Sequence, residues 1–193
     1  MFIILDTEYT SWPGTNEKGY NMKTKFPELV QISAIKVDKD FNIVDRLNIY
    51  VKPIINPKLS EYFKRLTKIN QNKINKDGIS IKGSIEKLYN FSKHNNKLLD
   101  VYSYGDDYKI IDINLDIIGD SKKSKYRKWR IHCYDVRYIF KNHNIDTSKY
   151  SSGTIYRAFK IKPDKNINIH DSRWDTYSIY ISLKYIYQII NIK

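Results

Sequence analysis

Phe2-Ile3-Ile4-Leu5-Asp6-Thr7-Glu8-Tyr9-Thr10 decides how this chain is read. Four apolar residues in a row give way to two carboxylates one residue apart. An apolar run of that length, ended by charge, predicts a buried central strand. Side chains two apart on a strand share a face, so Asp6 and Glu8 point the same way. Two carboxylates side by side at the end of a buried strand repel each other and are costly to desolvate. A divalent cation relieves both problems, and hard oxygen donors suit Mg²⁺ or Mn²⁺. The plainer reading is an exposed Asp-x-Glu at a strand end.

The segments around this strand give the rest of the architecture. Residues 11–26 hold Pro13, Gly14 and Gly19 and show no period, which predicts a surface loop. Leu29 to Val37 is rich in β-branched residues and Ile43 to Val51 alternates, with a hairpin turn over Asp38 to Asn42. Three strands therefore open the chain as an antiparallel meander. Pro53 and Pro57 end that portion, and Ser60 is placed to cap a helix over Glu61 to Leu66. Ser80 to His94 has helical spacing at Ile81, Ile85, Leu88 and Tyr89. A strand over Leu98 to Tyr104, a helix from Asp107 to Leu115 and a strand over Ile131 to Tyr134 follow. Helices are expected over Asp135 to Asn142 and Thr154 to Phe159. The last helix carries a stripe at Ile179, Leu183, Ile186 and Ile190, widened by Ile189. Residues 119–130 are of low complexity and read as an exposed loop. The sum is one α/β domain over residues 1–193, a mixed sheet of an antiparallel meander plus parallel strands, flanked by helices.

Two further acidic places join the first. Asp106 and Asp107 follow an apolar run where a strand passes into a helix. Asp107 puts Ile110 and Ile111 at +3 and +4 for packing and is preferred, with Asp106 its rival; the plain role for either is an N-cap. Asp175 lies one turn before Ile179 on the buried stripe, where a carboxylate needs a partner. Reaching back to Ser172 is one such role. His170, five residues earlier, is free to lean over a metal site and take a proton from water. Four carboxylates and one imidazole read together as a two-metal site for cutting phosphodiester bonds. His94, His132 and His143 read as structural, and no zinc-ligand spacing is present.

The chain has 193 residues, one cysteine and a net charge of +13, from 34 basic and 21 acidic residues. Cys133 alone cannot form an internal disulfide. The apolar start is too short for a signal peptide or a membrane span, so a cytoplasmic, membrane-free location is expected. The charge favours a polyanionic partner, nucleic acid above all. Only seven of the basic residues are Arg, and heavy use of Lys, Ile, Asn and Tyr is also what an AT-rich genome produces.

These residues carry a resemblance. Asp6-x-Glu8, an Asp within 104–107 and His170-x-x-x-x-Asp175 resemble the DEDDh class of DnaQ-like 3′–5′ exonucleases. Leu5-Asp6-Thr7-Glu8-Tyr9-Thr10 and Leu29-Val30-Gln31-Ile32-Ser33-Ala34 resemble that family's first two strands. Leu66-Thr67-Lys68-Ile69-Asn70-Gln71 resembles its L-T-x-I-x-Q segment. The similarity spans about residues 1 to 185 and is strongest to the branch of RNase T and the histone-mRNA exonucleases. It implies a ribonuclease H-like sheet and two divalent cations, with Asp6, Glu8, Asp107 and Asp175 as ligands and His170 as general base. It also implies release of nucleoside 5′-monophosphates from the 3′ end of RNA or DNA, with no organic cofactor. One departure stands out. In many relatives the second-motif Asp lies three residues after the Gly of W-G-x-x-D; that position is Tyr108 here, and Tyr104 replaces the Trp, which leaves Asp106 and Asp107 both open.

For the substrate path, Lys122, Lys123, Lys125, Arg127, Lys128 and Arg130 cluster around Tyr126 and Trp129. Cations can follow phosphates while rings stack on bases. Thr10 and Trp12 directly follow the carboxylate pair; in related enzymes this loop lies beside the terminal nucleotide, which makes Trp12 a candidate stacker. The expected activity is therefore a metal-dependent 3′–5′ exonuclease on single-stranded or end-exposed nucleic acid. A catalytically silent nucleic-acid-binding domain and a dinucleotide phosphodiesterase are the alternatives. Sugar preference and oligomeric state are not legible.

Overall fold

Strand β1 (Phe2–Tyr9) runs through the middle of a six-stranded sheet, as its apolar run requires. The computed structural model describes residues 1–15, 20–21, 23–119, 124–163 and 168–192. β1 pairs antiparallel with β2 (Leu29–Val37), which pairs antiparallel with β3 (Ile43–Lys52). Helices α1 (Glu61–Thr67) and α2 (Gln71–Asp77) follow. A two-residue strand β4 (Ile79–Ser80) then lies parallel to β3, ahead of α3 (Ile81–Phe91). A small hairpin, β5 (Lys93–His94) and β6 (Lys97–Leu98), leads into β7 (Val101–Ser103). β7 lies parallel to β1 on its free side. α4 (Asp107–Ile117), α5 (Ser124–Arg130), β8 (Cys133–Asp135), α6 (Arg137–Asn142) and α7 (Ser172–Ile192) complete the order. The sheet reads β4-β3-β2-β1-β7-β8, an antiparallel meander extended by parallel strands at each side.

The pleat of β1 separates two cores. Ile3 and Leu5 face a cluster closed by α3, α4 and α5. Ile4 faces a second cluster closed by α6 and α7, through Phe140, Ile179 and Leu183. Each such buried side chain stabilises the fold by about 1.5–3 kcal/mol. Asp6 and Glu8 continue the Ile4 face, so they end up under α7. Small side chains let that helix come close: the Ser172 hydroxyl donates to Ser33 Oγ at 2.7 Å, and Thr176 Oγ1 lies 3.3 Å from the Ser33 carbonyl.

Several expectations shift. The strand over 98–104 splits into the short hairpin and β7. The strand over 131–134 becomes β8, Cys133–Asp135, which starts two residues later. The helix over 154–159 is a 3-10 turn over Ile155–Phe159. Ser60 caps α1 as expected, its Oγ accepting from the Phe63 N–H at 3.0 Å. On α7, Ile179, Leu183 and Ile186 are buried but Ile189 is exposed; the Ile190 side chain lies outside the described residues. The largest correction concerns 119–130. Residues 124–130 form α5, and Tyr126 and Trp129, expected to stack on bases, are 3% and 2% exposed within the first core. Three residues apart on a helix, they share its inner face. Lys125 is tied to Glu86 Oε1 at 3.0 Å. Lys122, Lys123 and the Arg127 side chain lie outside the described residues. Among the described residues, no helix is long and apolar enough to cross a membrane.

Candidate active site

β7 ends at Ser103, and this premature end shapes the site. The Ile3 N–H donates to Asp100 across the β1–β7 side, so the amide of Thr7, four residues on, faces the same side. No β7 residue is left to receive it. Asp107 does so: its Oδ1 accepts from the Thr7 N–H at 3.0 Å and from the Thr7 hydroxyl at 2.5 Å. Gly105, at φ +100°, lets the chain turn from β7 into α4 so that Asp107 can return to β1. Asp106 points elsewhere, pairing with Lys109 Nζ at 2.9 Å on the surface.

Asp175 arrives from above, on the first turn of α7. Its Oδ2 accepts from the Ser152 hydroxyl at 3.1 Å. Its partner therefore comes from the loop ahead of α7, and not from Ser172. Asp171 caps the helix instead, accepting from the Arg173 N–H at 3.0 Å. Asp175 Oδ1 is buried and has no hydrogen-bond partner among the described residues. His170 adopts φ +68°, a left-handed conformation unusual for a residue with a side chain.

Asp6, Glu8, Asp107, Asp175 and His170 all line one open cavity of about 430 Å³. Ligand atoms of Glu8, His170 and Asp175 lie within 4.8 Å of one another. Asp106 reaches the rim of the same cavity. The electrostatics record the crowding. Burial, then the charges of Asp107, Asp175 and Glu8, hold the Asp6 carboxyl well above the usual carboxylate range. Burial, then Asp175 and Asp107, do the same to Glu8. Burial pushes Asp107 up to about 6 against the pull of the Thr7 hydrogen bonds, and Asp175 up to about 7 against that of the Ser152 hydroxyl. Burial pushes His170 down, which keeps its imidazole neutral near pH 7. Four carboxylates that resist ionisation together, one with a buried unpartnered oxygen, fit hard divalent cations.

Thr10 and Trp12, also expected at the site, fall outside the cavity. The Thr10 hydroxyl is committed to the fold: it donates to the Phe26 carbonyl at 2.7 Å and accepts from the Glu28 N–H at 2.9 Å. It is buried and braces the start of β2, so it has no free surface for a nucleotide. Trp12 is half-buried on the loop after β1, held by Thr15, and is not part of the cavity wall. Three residues that the sequence did not mark do take part. Thr7 holds Asp107, Ser152 holds Asp175, and Gly153 makes room for it: a Cβ there would lie 2.3 Å from Asp175 Oδ1. The Thr7 role follows from β7 being short; no local signal marks Ser152 or Gly153.

The exonuclease family RNase_T matches residues 3–181. No curated protein matches the chain in sequence. Among solved structures, the nuclease domain of 3′hExo, a DEDDh family member bound to rAMP, superposes with a TM-score of 0.78 at 18% identity, covering 97% of this chain and 92% of that one. Cell-death related nuclease 4 (CRN-4) gives 0.74 at 18% identity, over 97% of this chain and 64% of its own. E. coli Exonuclease I with a dT13 oligonucleotide gives 0.70 at 13% identity, over 99% of this chain and 42% of its own. With the family matched almost from end to end and the fold shared with a DEDDh nuclease domain, the chain belongs to the RNase_T exonuclease family.

Proposed function

We propose that this chain, as a single domain over residues 1–193, removes nucleotides from the 3′ end of single-stranded or end-exposed RNA or DNA with the aid of two divalent cations, Mg²⁺ or Mn²⁺. The observation that carries the reading is the gathering of Asp6, Glu8, Asp107, Asp175 and His170 on one open cavity, with Asp175 Oδ1 buried and unpartnered. Asp6, Glu8, Asp107 and Asp175 would hold the ions. Asp107 is preferred to Asp106 because Thr7 fixes it inward while Asp106 faces Lys109. Bound there, the cations would supply Lewis-acid charge at the scissile phosphate and acidify an attacking water.

The chain's own groups do the rest. His170, kept neutral by burial, has a ring nitrogen able to take the proton of the attacking water. Leu66, Tyr9 and Tyr20 line the cavity beside the carboxylates and offer apolar surface to the terminal nucleoside, with Trp12 nearby on the loop after β1. The product is a nucleoside 5′-monophosphate. Nucleic acid as substrate is supported by the net charge of +13 and by similar structures that hold rAMP and dT13. A silent binding domain would lack a carboxylate, and no member of the set is missing; a dinucleotide enzyme has little use for so large a positive charge.

The test is degradation of 5′-labelled RNA and DNA oligonucleotides with Mg²⁺, Mn²⁺ or chelator. A ladder shortening from the 3′ end is expected, abolished by chelator and by Asp6→Ala. His170→Ala is expected to slow turnover by about 10²–10⁴-fold while Mn²⁺ still binds. Cleavage that survives chelator, or an unchanged rate in His170→Ala, contradicts the assignment.

A further inference from the structure

Three hollows on this molecule share walls. The cavity with the acid cluster shares Asp106 and Lys109 with an open groove of about 690 Å³ along the β7–β8 edge. That groove shares Tyr102 and Ile139 with a third hollow of about 240 Å³, which reaches Tyr187 on α7. The catalytic reading uses neither of the last two.

Their lining is aromatic and continuous. Tyr134 stacks on Tyr102 with ring centres 5.6 Å apart, and Tyr102 meets Phe2 edge-on at 5.7 Å. Phe2 meets Phe41 at 5.3 Å, and Phe41 stacks on Tyr187 at 4.6 Å. Tyr134 and Tyr138 are 45% and 69% exposed, a large outlay of ring surface to leave in water. Cations are interleaved with the rings. Lys109 and Arg130 lie beside Tyr108, Arg137 beside Tyr104, and Lys141 beside Tyr138. Lys109 and Arg130 also pair with Asp106 and Asp112, and Arg137 with Asp135. The first two pairs are solvent-exposed and therefore weak, so a phosphate can take the carboxylate's place at little cost. The Asp135–Arg137 pair is more enclosed and braces the groove wall.

Exposed rings alternating with exchangeable cations bind a single strand without reading its sequence: bases stack and cations follow phosphates. We infer that the β7–β8 groove is the track for the nucleotides upstream of the 3′ terminus, leading the strand away from the carboxylates past Tyr108, Tyr138 and Tyr134. The inference rests on the exonuclease reading and adds where the rest of the substrate lies. It moves the track from the inner face of α5, whose rings are buried, to the opposite side of β8. It also makes affinity depend on strand length.

The test is a binding series, which does not require turnover. Fluorescence anisotropy reads the affinity of single strands of increasing length, each with a non-hydrolysable 3′-terminal linkage, for wild type, Tyr138→Ala, Tyr134→Ala and Tyr134→Phe. Wild-type affinity is expected to rise with length beyond a dinucleotide. Tyr138→Ala and Tyr134→Ala are each expected to weaken the longer strands by about fivefold to a hundredfold, the range that loss of one stacked base converts to. Tyr134→Phe should restore binding, and Tyr185→Ala, an exposed tyrosine outside the groove, should keep the wild-type length dependence. A flat wild-type series, or a series unchanged in both alanine variants, overturns the inference; the second result would instead return the groove to docking of a protein. Failure of the nuclease reading shows separately, as the absence of any 3′-end ladder with Mg²⁺.

Discussion

Gly153 lacks a side chain where Asp175 needs the room, and this is the site's tightest steric condition. A Cβ at 2.3 Å from Asp175 Oδ1 cannot be accommodated without moving that carboxylate. Gly153→Ala is expected to lower kcat by about a hundredfold, the usual cost of an ångström-scale misplacement, while circular dichroism stays native; an unchanged kcat would show that Asp175 can shift freely. At this scale the sequence was partly legible. Asp6 and Glu8 could be paired because strand geometry alone puts alternate residues on one face. Asp175 was legible because a carboxylate on an apolar stripe must have a reason to be there. Ser152 and Gly153 were not, because their roles depend on a loop that meets α7 only in three dimensions. The packing of Ile110 and Ile111 favours Asp107 over Asp106 in the sequence, but the further reason, that β7 stops at Ser103 and leaves the Thr7 amide to Asp107, lies in the sheet.

At the scale of elements, the long strands and α7 follow from their periodicity, whereas the short pieces do not. β7 and β8 have three residues each, too few for a pattern to distinguish them from loop. α5 is hidden for another reason: four of its seven residues are basic, so the three-residue spacing of Tyr126 and Trp129, which marks an inner helical face, looks the same as basic-aromatic interleaving. A second element-scale feature is Glu28, fully buried at the entry to β2. Its Oε1 accepts from the Ile54 and Ile55 amides at 2.5 and 2.8 Å, and its Oε2 from Asn56 at 2.5 Å. One carboxylate thus satisfies three backbone donors of the loop that joins β3 to α1. The loop in turn leads to Ser60, whose hydroxyl donates to the Ser11 carbonyl at 2.5 Å beside the cavity. Glu28→Ala leaves those amides without acceptors and is expected to cost about 3 kcal/mol, or roughly 10 °C in Tm. A Tm within a degree or two of wild type would mean that the loop finds other partners.

For the molecule as a whole, charge is organised in two opposing fields: a positive surface, and a negative pocket that resists its own ionisation. Folded pKa values raised above the unfolded ones mean that the folded state holds these protons more tightly. Asp107 at about 6, Asp175 at about 7, and Asp6 and Glu8 well above their usual range all act in this direction. Their contribution to stability is fully present below the ordinary carboxylate range and is lost as pH rises through the folded values. In chelator, Tm is therefore expected to fall by roughly 5 °C or more between about pH 4 and pH 7, and this fall should shrink in Asp175→Asn. Excess Mn²⁺ should remove it; a slope identical with and without the ion would mean that the carboxylates are relieved by something other than metal. The positive surface was legible as a number in the sequence, but its path was not, because the rings of the β7–β8 groove are drawn from four separate elements. The most direct test of the whole account is Mn²⁺ binding near pH 7.5, followed by loss of the free-ion paramagnetic resonance signal. Wild type and Asp106→Ala are expected to bind the ion, and Asp6→Ala and Asp175→Ala to lose it. Binding that persists in both of the latter variants, or is absent from wild type, would contradict the claim that these distant carboxylates gather to hold divalent cations.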